Sequence, residues 1–410
     1  MFGPQGAGTV FVLITLFVGF VALAIRFSRW WIRGGAVFGA FLPAMLTGFV
    51  FVNQMYAYYP SWGALWGDLT GTPPTHVVTL RELSEAAVRE KAASDGKAAK
   101  RGLLVEASLP GPRSGITRDG LVYLPPQYFQ EAYKGARFPA LELLHGAPGN
   151  PYDYDRVMDI VGTYRKAARQ KKARPAVLVM PDSNGGQQNA LQCLNVKDGP
   201  QDETYLVDDV TAVLVEKLRV RNRGTGWGIA GFSEGGFCAT NLMLRHPRTY
   251  KVAGVMSGYF TPLPVVKKPE VVDPFGGSPA VRAANDPQQE VAAWPVGRDL
   301  GRFWFAAGGD DQRDMLGTEG FIRQLRRVQP QLVYQVVPGG THSFGVWRQA
   351  CPKFLRWALR QLPGPAGAAP RRGGTTGAPV DRSTRTPGPS ARPSEPRTQR
   401  PTGVPVVRER

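Results

Sequence analysis

One serine of this chain sits between glycines placed two residues before and two after it, in Gly231-Phe232-Ser233-Glu234-Gly235. The stretch Gly226-Trp227-Gly228-Ile229-Ala230 ahead of it is short and apolar, as a buried strand requires. Gly236 to Arg245 behind it reads as a helix with its apolar side inward. A serine on such a sharp strand-to-helix turn holds its hydroxyl clear of the sheet, and the flanking residues must be small because strand and helix pass at close range. The chemistry that suits this corner is nucleophilic attack on an acyl carbon, with a covalent intermediate.

That chemistry also needs a base, an acid and a site for the oxyanion. The histidines are His76, His145, His246 and His342. Of these, His342 lies on a glycine-rich loop, Pro338-Gly339-Gly340-Thr341-His342-Ser343, after the apolar run Leu332 to Val337. Another apolar run, Arg302 to Ala307, ends in Gly308-Gly309-Asp310-Asp311. Serine, then acid, then histidine, each just past a strand, is the chain order of α/β-hydrolases. We expect Asp311 to be the acid, since it needs no extra turn of chain to reach the base; Asp310 and Asp314 are the alternatives. Leu141-Glu142-Leu143-Leu144-His145-Gly146 ends a further strand in a His-Gly turn, where a second backbone N–H for the oxyanion would arise. His145 is expected to shape that turn rather than to act as a base.

From about Ser114 to Leu362 the chain resembles the Putative esterase family of α/β-hydrolases, which includes esterase D-like enzymes, feruloyl esterases and antigen 85 mycolyltransferases. The resemblance rests on Val122-Tyr123-Leu124-Pro125-Pro126, Leu143-Leu144-His145-Gly146, Thr204-Tyr205-Leu206-Val207-Asp208-Asp209-Val210, the serine turn, and Val255-Met256-Ser257-Gly258-Tyr259-Phe260. Gly340-Thr341-His342-Ser343-Phe344-Gly345-Val346-Trp347 is especially similar to the antigen 85 histidine loop. The resemblance implies that Ser233 is the nucleophile, His342 the base, and the amides of Ala147 and Glu234 the oxyanion hole. A feruloyl-esterase-like spacing implies Asp311 as the acid, an antigen 85-like spacing Asp314.

The elements that position these residues form an α/β domain with a mostly parallel central sheet and helices on both faces. The excess length lies at the ends. Gly8 to Ile25 is uncharged and long enough to cross a bilayer, and a second apolar run follows from Gly34 to about Tyr56. Residues 1–7 carry no basic side chain, so a retained helix is expected rather than a signal peptide. Arg26, Arg29 and Arg33 between the runs place that loop in the cytoplasm and the remainder outside the cell. We expect a two-helix transmembrane anchor over 1–59, a linker or stalk over 60–102, whose charged helix from Leu80 to Ala99 could equally pack on the domain's edge, the catalytic domain over 103–362 and a disordered tail over 363–410.

The tail is rich in Pro, Gly, Ala, Thr, Ser and Arg, too poor in apolar residues to fold. Its nine arginines against three acids supply part of the net charge of +18. No recognition motif accompanies that charge, so a nucleic-acid partner is not expected; anionic wall polymers or lipid head groups are the partners it could attract, and a solvated tail without a partner is the plainer reading. The long stretches 181–203 and 261–299 are expected to overhang the site. Cys193 and Cys238 would tie the first of them to the helix after the serine if they oxidise. No cluster has metal-ligand spacing and no glycine loop has phosphate-binding form, so neither metal nor cofactor is expected. The expected substrate is a small-molecule, lipid or cell-wall acyl ester. An acyltransferase, a peptidase and an inactive binding module on the same fold are the alternatives.

Overall fold

The computed structural model describes residues 2–71, 76–170, 172–186, 192–263 and 273–367. Nine strands carry the apolar runs: β1 (Val77–Thr79), β2 (Leu103–Gly111), β3 (Ile116–Leu124), β4 (Ala140–Leu144), β5 (Val177–Pro181), β6 (Trp227–Phe232), β7 (Tyr250–Met256), β8 (Arg302–Gly308) and β9 (Leu332–Val337). They form one sheet in the order β1-β2-β3-β5-β4-β6-β7-β8-β9. The pairs from β5 through β9 are parallel, and β3 is antiparallel to both β2 and β5. This is the α/β-hydrolase fold.

The central strands are apolar throughout because both faces of the sheet are covered. Along β8, Phe303 and Phe305 enter one core while Trp304 and Ala306 enter the other, as the two-residue period of a strand demands. The first core packs the helix Glu234–Arg245 through Phe237 and Leu242. The second packs the helices Ile160–Arg169 and Phe344–Gln361 through Tyr164, Trp347 and Phe354. The chain leaves β4 for β5 on one side and later returns to β6 on the other. Such a reversal opens a crevice at the carboxyl ends of the strands.

At the N-terminus, α1 (Ala7–Arg26) and α2 (Trp30–Tyr56) are each long and apolar enough to cross a membrane by length and composition. They fold back on each other: Asn53 Nδ2, near the end of α2, donates to Pro4 O at 2.9 Å. The segment after the hairpin carries structure of its own. Ser61 caps α3 (Trp62–Leu69), its Oγ accepting from Ala64 N at 3.1 Å. β1 then joins the sheet as an edge strand parallel to β2, so the domain's sheet begins at Val77 rather than near 103. Leu80 and Leu83 are buried beneath it. α4 (Glu85–Asp95) lies on the domain edge, with Val88 fully buried and Glu85 Oε1 paired to Arg219 Nε at 3.0 Å. Three β-branched residues make too short a run to read as a strand in isolation; pairing with β2 decides it. At the other end Ala366 pairs with Arg137; the expectations for 368–410 fall outside the described residues.

Candidate active site

Ser233 stands between β6 and its helix at φ 54°, ψ −122°, a conformation that L-residues rarely adopt. Its amide donates to Met256 O at 2.9 Å, which pins the turn to the neighbouring strand. The flanking glycines are required by contact. A Cβ on Gly231 would stand 2.2 Å from the Gly235 carbonyl carbon, and one on Gly235 would stand 2.0 Å from Leu144 O. Gly146, in the turn after β4, also comes near, though less tightly: its Cβ would lie 3.2 Å from that of Ser233. The turn at His145–Ala147 is thereby held against the serine.

His342 Nε2 lies 3.0 Å from Ser233 Oγ. The ring is set edge-on to Trp347, with centroids 5.3 Å apart. Its loop abuts the loop after β8: Asp310 N donates to Gly340 O at 2.9 Å, and a Cβ on Gly308 would meet that same oxygen at 2.4 Å. On the far side of the ring, Nδ1 lies 2.5 Å from Asp314 Oδ2 and 3.7 Å from Asp311 Oδ2. The expected acid, Asp311, thus has the longer approach. It is the N-cap of the helix Gln312–Leu325, and its Oδ1 accepts from Asp314 N at 3.1 Å. Burial raises the pKa of Asp311, with further effects from Asp314 and His342. Asp310 is exposed and meets the histidine loop through its amide. The signal for Asp314 was available in the sequence: acids at N-cap and three residues on mark a helix start.

Of the two residues expected to supply the oxyanion amides, Ala147 lies in the turn after β4 and Glu234 is the first residue of the serine's helix. Neither amide donates to another atom among the described residues. The Glu234 side chain is buried, and that burial pushes its carboxyl up to about 7 against the pull of His145, the Gln192 amide and Asn184. His145 is itself buried, with Nδ1 on Gly146 O at 2.8 Å and Nε2 accepting from Ser183 N at 3.0 Å. These two bonds hold the ring in the turn after β4.

Cys193 and Cys238 form a disulfide between the loop after β5 and the helix after Ser233. Cys351 is free and buried, its thiol pushed up to about 12 by that burial. Asp311, Asp314 and His342 are close enough for one ligand atom of each to share a cation. The second nitrogen of the ring nevertheless faces Ser233, an arrangement acyl transfer uses and cation binding does not require. A cleft of about 650 Å³ opens between Tyr152, Arg118 and Asp182; Ser233 and His342 do not line it.

Residues 113–358 match the family described as Putative esterase. The chain belongs to the Putative esterase family. With it, this esterase is a carboxylic ester hydrolase. It is 25% identical over 329 residues to an uncharacterised protein of Corynebacterium glutamicum, covering 78% of this chain and 74% of that protein. Among solved structures, a ferulic acid esterase superposes with a TM-score of 0.56 at 20% identity, covering 64% of this esterase and 99% of that chain. An S-formylglutathione hydrolase from Agrobacterium tumefaciens gives 0.53 at 18%, covering 64% and 96%. A Staphylococcus aureus fluorophosphonate-binding serine hydrolase gives 0.52 at 19%, covering 63% and 98%. These likenesses concern the fold.

Proposed function

We propose that this esterase is a membrane-anchored, extracytoplasmic serine hydrolase that cleaves carboxylic esters through Ser233, His342 and Asp314. The observation that carries the reading is the continuous line from Asp314 Oδ2 through His342 to Ser233 Oγ, with separations of 2.5 and 3.0 Å. In the reaction, His342 Nε2 takes the hydroxyl proton as Oγ attacks the ester carbonyl carbon. The carbonyl oxygen, now anionic, is received by the Ala147 and Glu234 amides at the head of a helix, where the helix dipole adds to their effect. His342 then protonates the leaving alcohol, and Ser233 is left acylated. Water, deprotonated by the same nitrogen, attacks the acyl carbon and regenerates the serine. Asp314 holds Nδ1–H and favours the charged ring formed midway. Transfer to an acceptor alcohol in place of water would use the same groups.

The test is labelling with a fluorophosphonate probe, followed by turnover of p-nitrophenyl esters of increasing chain length. Wild type labels once and turns over; Ser233→Ala does neither, with thermal stability changed by no more than about 1 kcal/mol. Labelling that survives Ser233→Ala moves the nucleophile to another serine. The membrane reading is supported by the two apolar helices and by Arg26, Arg29 and Arg33 at their junction. Protease added to intact cells should then release the catalytic domain; protection until lysis reverses the orientation.

A further inference from the structure

We propose that the catalytic crevice is held against the outer end of the helical hairpin and draws its acyl ester from the bilayer leaflet at that end. The inference rests on the serine-esterase and membrane-anchor readings above and adds the substrate's class: an ester resident in the membrane rather than one arriving from solution.

The contacts begin where α2 ends. Ala57, its C-cap, has φ 52°, and a methyl on Gly345 would stand 3.5 Å from the Ala57 methyl. The Tyr58 ring meets Phe344 edge-on with centroids 5.0 Å apart, and Phe344 in turn packs on Phe232 at 5.2 Å. Phe344 lies two residues past His342, and Phe232 directly precedes Ser233. Tyr58 OH donates to Asp153 Oδ1 at 2.8 Å, and the other oxygen of that carboxylate receives the Asn150 amide at 3.1 Å. One side chain at the membrane exit therefore grips both the histidine loop and the loop that carries Ala147.

Further ties prevent the domain from swivelling. Tyr59 OH donates to Asp68 Oδ2 at 2.7 Å, and Asp68 Oδ1 lies 3.6 Å from Arg156 Nη1. His76 Nε2 meets Asp155 Oδ1 at 2.8 Å. These partners on the domain all fall in the short segment after the Ala147 loop. Beneath them, α3 presents Trp62, Trp66 and Leu69 at exposures of 41, 68 and 70%, spaced to share one side of the helix. Tryptophan and leucine on one side of a surface helix suit the interfacial layer. Phe344 and Asp153, which Tyr58 meets, follow the carboxyl ends of β9 and β4, so the carboxyl edge of the sheet is the one turned toward the hairpin.

Depth decides the substrate class. The polar layer on each side of a bilayer is about 5–8 Å thick. A single ring, that of Phe344, separates Tyr58 from Phe232 and the serine turn. Two ring-to-ring steps of 5.0 and 5.2 Å join the hairpin's exit to the residue before Ser233, and the proposed placement puts the serine within reach of ester carbonyls at the border of hydrocarbon and head group. A soluble ester needs no such placement.

The test uses the full chain reconstituted in phosphatidylcholine vesicles, with 4-methylumbelliferyl oleate as the bilayer-resident ester and p-nitrophenyl acetate as the soluble one. The oleate is placed either in the enzyme's own vesicles or in separate ones. The inference expects at least tenfold faster oleate cleavage in the shared vesicles. A second arm inserts four EAAAK repeats between Tyr59 and Pro60, lifting the domain by about 30 Å. The ratio of oleate to acetate turnover, read within each preparation, should fall at least tenfold in the lifted form. Equal cleavage from shared and separate vesicles, or an unchanged ratio in the lifted form, overturns the inference while leaving the esterase reading intact. Failure of every form to cleave p-nitrophenyl acetate overturns the esterase reading and the inference with it.

Discussion

His342 Nδ1 is 2.5 Å from Asp314 and 3.7 Å from Asp311, although Asp311 is the acid nearer the end of its strand. The helix that starts one residue after Asp311 explains the difference. An N-cap carboxylate is engaged by the amide three residues on, and that third residue is swung toward the partner loop. The expected outcome is a division of labour: Asp314→Asn lowers kcat by about 10³–10⁴, as loss of an orienting acid does elsewhere. Asp311→Ala instead costs about 1 kcal/mol of stability as a lost cap and leaves kcat within tenfold. Esterase kinetics and melting of the same two variants check both halves. A dead Asp311→Asn beside an active Asp314→Asn would return the role to Asp311.

The glycines around the serine carry a steric prediction. A methyl on Gly235 would stand 2.0 Å from Leu144 O and 2.6 Å from His145 O, both backbone atoms of the neighbouring strand and turn. Neither can move without opening the β4–β6 pair. Gly235→Ala should therefore destabilise by about 3 kcal/mol or more and abolish turnover. Gly317→Ala, in the helix Gln312–Leu325 with nothing within 4 Å of its Cβ, should stabilise by about 0.5–1 kcal/mol. Urea midpoints of the two variants measured together separate sterics from propensity; equal shifts would refute the close-contact account.

What could be read from the chain follows the range of the forces involved. The glycines at 231 and 235 and the histidine loop were legible because strand–helix clearance and strand ends leave local marks. Asp314 was blurred because Asp310, Asp311 and Asp314 follow β8 within about one helical turn, and which of them meets the histidine depends on where the helix starts. The edge strand Val77–Thr79 was not legible, because three residues acquire their state from β2, more than twenty residues on. Nor was the bond from Tyr58 to Asp153, which spans 95 residues and depends on how the hairpin meets the domain.

The disulfide between Cys193 and Cys238 closes a loop across a sequence separation of 45. It joins the loop after β5 to the helix that begins beside Ser233. Gln192, adjacent to Cys193, reaches across to Leu263 N at 2.8 Å, so the loop is tied to the start of the second overhanging stretch as well. Chain entropy alone values such a closure at about 4 kcal/mol. Cys193→Ser with Cys238→Ser should lower stability by about that much or less, read as a urea midpoint. A change under 0.5 kcal/mol would show that the bond does not constrain the unfolded chain.

Glu142, in the middle of β4, gives the esterase a pH dependence of stability. Its side chain is fully buried; Oε2 accepts from Tyr250 OH at 2.7 Å, and Oε1 has no partner among the described residues. Burial pushes its carboxyl up to about 8, against the pull of the Tyr250 bond. The unfolded chain releases that proton near pH 4.5, so from there to about pH 8 the folded state binds more protons than the unfolded one. Stability must then fall with rising pH across this window, by up to about 1.4 kcal/mol per unit from this group, and level off above it. Glu234 and Glu290, held up to about 7 and about 8 mainly by burial, add slopes of the same sign. Glu142→Gln keeps an acceptor for Tyr250 and removes the proton from the balance. Its stability relative to wild type should rise between pH 5 and pH 8 by a few kcal/mol at most, measured by urea unfolding of the full chain in detergent micelles. A difference that stays constant over that range would mean Glu142 is ionised in the folded protein.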